Sequence, residues 1–185
     1  LLAGAGAAAV FVVVYISFMG YAGDRVTAWL HPELDPGDTG YQILQSLYAI
    51  GSGGLFGLGY GKSRQKYLYL PFQYNDYIFA VICEELGLVG AMAIVALFAV
   101  TILRGYWIAL NARDRFSTVL AAGLVTLIAV QTILNLCVVT NLLPSTGIAL
   151  PFFSYGGTAL AVNLGEMGIV LGISRGRNRR KIQEA

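Results

Sequence analysis

Long runs of apolar residues alternate with polar segments along this chain. Four of the runs are candidates to cross a bilayer: residues 1–23, 77–103, 116–143 and 158–173. A bilayer core of about 30 Å is crossed by a helix of roughly 20 apolar residues. The pattern therefore predicts an all-α integral membrane protein, a polytopic bundle with four transmembrane helices.

The composition supports the membrane class. The chain is 57% hydrophobic and only 12% charged, whereas soluble domains carry roughly 25% charged residues. The net charge of +2 is too small to favour nucleic acid as a partner. We therefore expect residues 1–185 to form a single membrane domain.

The connecting segments indicate an orientation. Basic residues cluster in the link between the second and third predicted spans and in the tail: Arg104, Arg113, Arg115, Arg175, Arg177, Arg179, Arg180 and Lys181. By the positive-inside rule both segments are cytoplasmic, and so are both ends of the chain. The segments 24–76 and 141–157 then face outward, the first as a long structured loop. The second contains prolines and glycines that break a helix, which is typical of a re-entrant loop.

The long outer loop contains two further patterns. Residues 41–50 have helical periodicity and predict an amphipathic helix at the membrane surface. A glycine-rich stretch then ends in Gly61-Lys62-Ser63, but Phe56 occupies a position where a phosphate-binding nucleotide loop requires glycine. Lys62, Arg64 and Lys66 are either a site for phosphate groups or a solvated basic face.

Acidic and amide side chains mark the remaining candidate sites. Asp76 precedes an apolar helix, so it is either a helix N-cap or a reactive carboxylate at the outer face. Glu84 and Glu85 lie roughly 12–13 Å deeper, where an acid is costly unless it faces protein or a wet cavity. Gln131 and Asn135 share one helix face, which favours hydrogen bonds between helices or the lining of a polar cavity. The sequence has no cluster of metal ligands.

Three motifs, taken in order, resemble the SEDS family (shape, elongation, division and sporulation), which includes FtsW, RodA and SpoVE. The motifs are GYQILQSLYAIGSGGLFGLGYGKSRQKYLYLP, NDYIFAVICEELGLVGA and QTILNLCVVTNLLPSTGIALPFFSYGG. The resemblance covers nearly the whole chain and corresponds to the C-terminal half of a larger membrane protein. The chain departs from the family pattern at Phe72, where an acid is usual, and at Tyr74.

The resemblance implies a peptidoglycan glycosyltransferase in the bacterial cytoplasmic membrane. Such an enzyme joins lipid II units into glycan strands at the outer face during division, elongation or sporulation. Asp76 matches the essential carboxylate of the family, and Lys66, Gln42, Ser154 and Tyr155 lie at matching family positions and are expected to contact substrate. Lys62 and Arg64, from the same basic cluster as Lys66, are expected to contact substrate as well. The implied partners are lipid II, the growing strand, a class B penicillin-binding protein with transpeptidase activity, and other membrane proteins of the divisome or elongasome. The resemblance implies no certain cofactor and leaves a divalent cation open.

Two other functions are compatible with part of the pattern. A lipid II flippase or other transporter would account for acids within the membrane, but not for an acid at the outer end of a helix. A structural protein that only recruits a transpeptidase is the third hypothesis. We expect this segment of the chain to be inactive by itself.

Overall fold

The computed structural model describes residues 12–15, 20–34, 39–64 and 75–183, without the side chains of residues 20–22 and 177–183. Its helices are α1 (Gly20–Leu30), α2 (Thr39–Gly53), α3 (Ile78–Leu110), α4 (Arg115–Val139) and α5 (Gly157–Gln183), with a 3-10 turn at Pro32–Leu34. Most of the first predicted span lies outside the described residues. So do Lys66, Phe72 and Tyr74.

Three of these helices are long and apolar enough to cross a membrane. They are Ile78–Leu110, with a mean hydropathy of 2.6, Arg115–Val139, with 2.1, and Gly157–Gly176, with 1.3. The prediction of an all-α, multi-pass membrane fold is confirmed. Helix α3 continues beyond the predicted end at residue 103, and there the Arg104 guanidinium lies 5.3 Å from the centre of the Trp107 ring.

Helix α3 is the centre of the described fold and packs against both α2 and α4, while α4 also packs on α5. At the far end of α3, Gly105 lies against α4, where an added Cβ would be 2.6 Å from Cγ2 of Val125. Small residues allow helices to approach closely in a membrane, where lipid is as apolar as leucine and hydrophobicity alone does not drive association.

Helix α2 contains the helix predicted for residues 41–50, but the face that it buries is not the most apolar one. Its buried residues are Gly40, Ile43, Ser46, Ala49 and Gly53. Tyr48, by contrast, is 59% exposed. The buried face consists mainly of small residues, which favour close backbone contact between membrane helices.

Helix α3 is broken at Gly87, whose φ of 66° and ψ of −169° are not helical. A glycine-rich loop (Gly54–Arg64) lies beside this break and provides partners for the backbone groups that the break releases. Its hydrogen bonds with α3 are donated from Leu58 N to Glu84 O (2.9 Å), from Gly59 N to Glu85 O (3.0 Å), from Leu88 N to Gly54 O (2.9 Å) and from Val89 N to Leu55 O (3.1 Å). Residues 54–59 of the loop are thus held to α3 by backbone hydrogen bonds.

Glycine is required at this contact because the two backbones touch. An added Cβ would lie 2.2 Å from Glu85 O at Gly57, and 2.3 Å from Gly57 N at Gly87. Both glycines also have positive φ, a region that other residues enter at a cost. The glycine-rich stretch therefore serves backbone packing.

Candidate functional site

Asp76 lies in the turn that precedes α3. The N-cap of α3 is Tyr77, which makes no side-chain cap hydrogen bond. The Asp76 carboxylate accepts no hydrogen bond from any described residue. The interpretation of Asp76 as a helix cap is therefore wrong, because a cap must accept a bond from a backbone N–H of the first helical turn.

Two side chains hold the turn that carries Asp76. Asn135 of α4 is fully buried, and its Nδ2 donates to Asp76 O at 2.7 Å and to Ile148 O at 2.8 Å. Ser154 Oγ donates to Asn75 O at 2.6 Å and accepts from Leu150 N at 2.7 Å. The turn is thus joined to α4 and to the loop between α4 and α5. The bonds of Asn135 go to loop carbonyls rather than to another helix.

Helix α1 contributes a residue that the sequence did not single out, Arg25. Its Nη1 donates to Ser145 O at 2.9 Å, and one helical turn further on Trp29 Nε1 donates to Asn141 O at 3.0 Å. Both bonds reach the loop between α4 and α5, so they fix one face of α1 against it. Arg25 is close enough to Asp76 for its charge to act on that carboxylate.

The Asp76 carboxylate is partly buried, and two influences act on its pKa in opposite directions. Burial raises the pKa of Asp76 above its usual value, and the positive charge of Arg25 lowers it in part. The wall beside the carboxylate is backbone, since an added Cβ at Gly147 would lie 3.6 Å from Asp76 Oδ2. Gly147 has a φ of 71°, so a side chain here would be strained and would touch the carboxylate.

A groove of about 510 Å³ opens next to this turn. It is lined by Ile78, Phe152, Phe153, Ser154, Tyr155, Gly156, Gly157 and Leu160. The volume lies within the range of small-molecule sites. Ser154 links the groove to the Asp76 turn through its bond to Asn75 O, whereas Tyr155 is 82% exposed.

Glu84 and Glu85 are buried, with 1% and 7% of their surface exposed. The Glu84 carboxylate accepts a hydrogen bond from Ser63 Oγ and one of 3.0 Å from Arg64 N. It therefore anchors the end of the glycine-rich loop to α3. At about 1.5 Å per residue, this anchor lies roughly 12 Å along α3 from Asp76.

The other predicted site residues are less closely connected to Asp76. Lys62 and Arg64 are exposed at the level of Glu84, and Gln42 is partly buried in α2. Gln131 is partly buried in α4 and makes no side-chain hydrogen bond with the described residues. Within the described ranges there is no group of three or more His, Cys, Asp or Glu residues that could hold a metal ion.

Comparison with known proteins gives consistent similarities. Residues 1–179 match the family described as cell cycle protein, which covers FtsW, RodA and SpoVE. Stage V sporulation protein E of Bacillus subtilis (strain 168) is 50% identical over 151 residues, which are 82% of this chain and 41% of that protein. A protein of Trichlorobacter lovleyi named "Probable peptidoglycan glycosyltransferase FtsW" is 45% identical over 166 residues, 90% of this chain and 44% of that protein.

The fold is also similar to a solved structure. A chain from a peptidoglycan synthase complex, studied for the structural coordination of polymerization and crosslinking, matches with a TM-score of 0.77 and 29% identity. The match covers 96% of this chain and 49% of that one. The chain described here spans less than half the length of the curated relatives that it matches.

Proposed function

Since the chain belongs to the cell cycle protein family of FtsW, RodA and SpoVE, we propose that it is part of a membrane peptidoglycan glycosyltransferase with Asp76 as its catalytic carboxylate. The observation that carries this proposal is the environment of Asp76. Its backbone is held by Asn135, while its carboxylate accepts no hydrogen bond from the described residues and stands beside Gly147. Such a group is oriented and has its acceptor sites available.

The reaction joins two lipid-linked sugar units. The 4-hydroxyl oxygen of one sugar forms a bond to the anomeric carbon of the other, whose bond to the lipid pyrophosphate breaks. The hydroxyl proton passes to Asp76 as general base, and the pyrophosphate leaves as an anion on its lipid. A single carboxylate acting on an attacking hydroxyl is consistent with inversion at the anomeric carbon.

Positive charge has two roles in this proposal. Arg25 favours the ionised form of Asp76 against the effect of burial, so that the base can accept a proton. The pyrophosphate leaves as an anion, which nearby positive charge stabilises. Lys66 is the first choice for this role, and Lys62 and Arg64 are the next. Glu84 supports the second role by anchoring the backbone at Arg64.

The remaining predicted contacts complete the substrate site. The groove at Ser154 and Tyr155 accommodates part of the lipid-linked substrate beside the Asp76 turn, and Gln42 contributes a polar contact from α2. Glu85, Gln131 and Asn135 are structural or line a polar cavity below the base. Phe72 makes the sequence before Asp76 less acidic than the family pattern.

In this proposal the protein lies in the bacterial cytoplasmic membrane, with the Asp76 end outward and both ends of this chain in the cytoplasm. The support for the orientation is the cluster of basic residues in the α3–α4 link and the tail. A class B penicillin-binding protein is the proposed partner, since a similar chain belongs to a peptidoglycan synthase complex. No observation favours the transporter alternative.

The test is polymerisation of purified lipid II by the full-length protein with its transpeptidase partner, read as glycan product on a gel. Asp76→Asn keeps the shape of the side chain but cannot take a proton, so we expect normal folding and no polymer. Asp76→Glu moves the carboxylate by one methylene and should lose most of the rate. Asp24→Asn, which changes an exposed acid of α1, is the matched control. Polymer at the parental level from Asp76→Asn would exclude the catalytic assignment.

A further inference from the structure

The glycine-rich loop exposes large apolar side chains although it belongs to a polar part of the chain. Phe56 is 81% exposed, Tyr60 88% and Leu55 62%. Three such side chains within a short segment form a patch that would be unfavourable in water. The backbone of the segment is already paired with α3, so what remains to be explained is the environment of its side chains.

The hydrogen bonds with α3 establish the level of the loop. They join residues 54–59 to residues 84–89. Helix α3 has no charged residue from Leu86 to Leu103, a stretch of roughly 27 Å at about 1.5 Å per residue. This is close to the thickness of a bilayer core, about 30 Å. If this charge-free stretch, rather than the whole predicted span 77–103, crosses the hydrocarbon, the loop is level with the edge of the core on the Asp76 side.

The side chains of the loop have the chemistry of a membrane interface. Aromatic residues are enriched where the hydrocarbon meets the head groups, and the loop presents Phe56 and Tyr60 at this level. The next exposed side chains are basic, those of Lys62 and Arg64, which suit the depth of lipid phosphates. Irregular backbone is tolerated near the core only when its polar groups are satisfied, and the break at Gly87 provides those partners.

We infer that the glycine-rich loop is an interfacial anchor, whose Leu55, Phe56 and Tyr60 side chains contact phospholipid at the boundary between acyl chains and head groups of the outer leaflet. The partner of this surface is the bilayer itself. The anchor holds Lys62 and Arg64 at phosphate depth, which is compatible with their proposed contact to a lipid-linked pyrophosphate. The inference does not depend on glycosyl transfer.

The experiment measures depth with single nitroxide labels on the full-length protein in phospholipid nanodiscs. Cysteines replace Phe56 and Tyr60 one at a time, in a background where Cys83, Cys137 and any other cysteine are alanine. Each label is tested for collision with oxygen, which concentrates in the membrane, and with a water-soluble nickel complex. Labelled proteins are compared only if they elute like the parent in size-exclusion chromatography.

Labels at two further positions calibrate the depth that the oxygen-to-nickel collision ratio reports. Thr146→Cys lies in the exposed loop near Asp76 and should be accessible to nickel, while Leu97→Cys lies on an exposed face of α3, with 64% of Leu97 exposed, and should report the core. We expect the oxygen-to-nickel ratio at Phe56→Cys to be several-fold above that at Thr146→Cys and below that at Leu97→Cys. A ratio equal to that at Thr146→Cys would place the loop in water and overturn the inference. Protection of both loop labels from both reagents would also overturn it, because protein and not lipid would then cover the loop.

Discussion

Replacement of Asn135 by alanine tests whether the site depends on one buried amide. Asn135 Nδ2 donates to Asp76 O at 2.7 Å and to Ile148 O at 2.8 Å, and none of its surface is exposed. An intramolecular hydrogen bond contributes about 1 kcal/mol net. The loss of two bonds, which also leaves two carbonyls without this donor, should lower the free energy of unfolding by about 2–3 kcal/mol.

The same change should affect catalysis through position. Without the amide, the backbone of Asp76 loses its direct link to α4, although Ser154 still holds the neighbouring Asn75. A misplacement of about 1 Å can reduce a rate on the order of 100-fold. We therefore expect Asn135→Ala to lower kcat of lipid II polymerisation much more than it changes KM. The change displaces the base but leaves the substrate contacts in place.

The assay combines thermal unfolding of the full-length protein in detergent with polymerisation kinetics below the unfolding temperature. Gln131→Ala is the matched control, since Gln131 is an amide one turn away on α4 that makes no side-chain hydrogen bond with the described residues. Gln131→Ala removes an amide from the same helix without breaking a bond to the Asp76 turn, so it should change stability and kcat much less than Asn135→Ala does. Equal effects of Asn135→Ala and Gln131→Ala would refute the assignment of Asn135 as the residue that positions the Asp76 turn.

Two further changes examine Arg25 and the glycine-rich loop. Because Arg25 lowers the raised pKa of Asp76, Arg25→Gln should raise that pKa further and move the acid limb of the rate–pH profile to higher pH. If Arg25→Gln lowers the rate but leaves the acid limb of the rate–pH profile unchanged, Arg25 acts only by holding the loop between α4 and α5 through Ser145 O. Gly57→Ala would place a Cβ 2.2 Å from a carbonyl oxygen of α3 and should destabilise the fold more than Gly54→Ala does. Gly54 also has positive φ but has nothing within 4 Å of an added Cβ, so its change should cost about 1–2 kcal/mol. Equal unfolding temperatures for these two variants would contradict the close contact.

The sequence predicts those features that depend on whether successive side chains are apolar, polar or charged. Long apolar runs predict the helices α3 and α4, although Glu84 and Glu85 interrupt the first run, because a helix that crosses a bilayer core is predominantly apolar. Asp76 stands out because it is polar and directly precedes an apolar helix. The positive φ of glycines in the loop is also expected from composition, since glycine is the residue that adopts it readily.

Other features depend on contacts that leave no such pattern. The pairing of the loop with the break at Gly87 uses backbone groups, which every residue possesses, so the side-chain pattern does not predict it. Arg25 falls within the predicted outer loop 24–76, and nothing in its sequence neighbourhood distinguishes it from a solvated residue. The spacing of Asn135 from Gln131 indicated a polar face of α4, but the targets of the Asn135 amide lie in loops that are distant in sequence.

The pairing of the glycine-rich loop with α3 has a consequence for the order of assembly during synthesis. Residues 54–59 leave the ribosome before residues 84–89, so their hydrogen-bonding partners do not yet exist when α2 is complete. Lipid offers no substitute for those partners, and the loop must remain hydrated until the following helix is inserted. The loop therefore reaches its final position against α3 only after residues 84–89 have been synthesised and inserted.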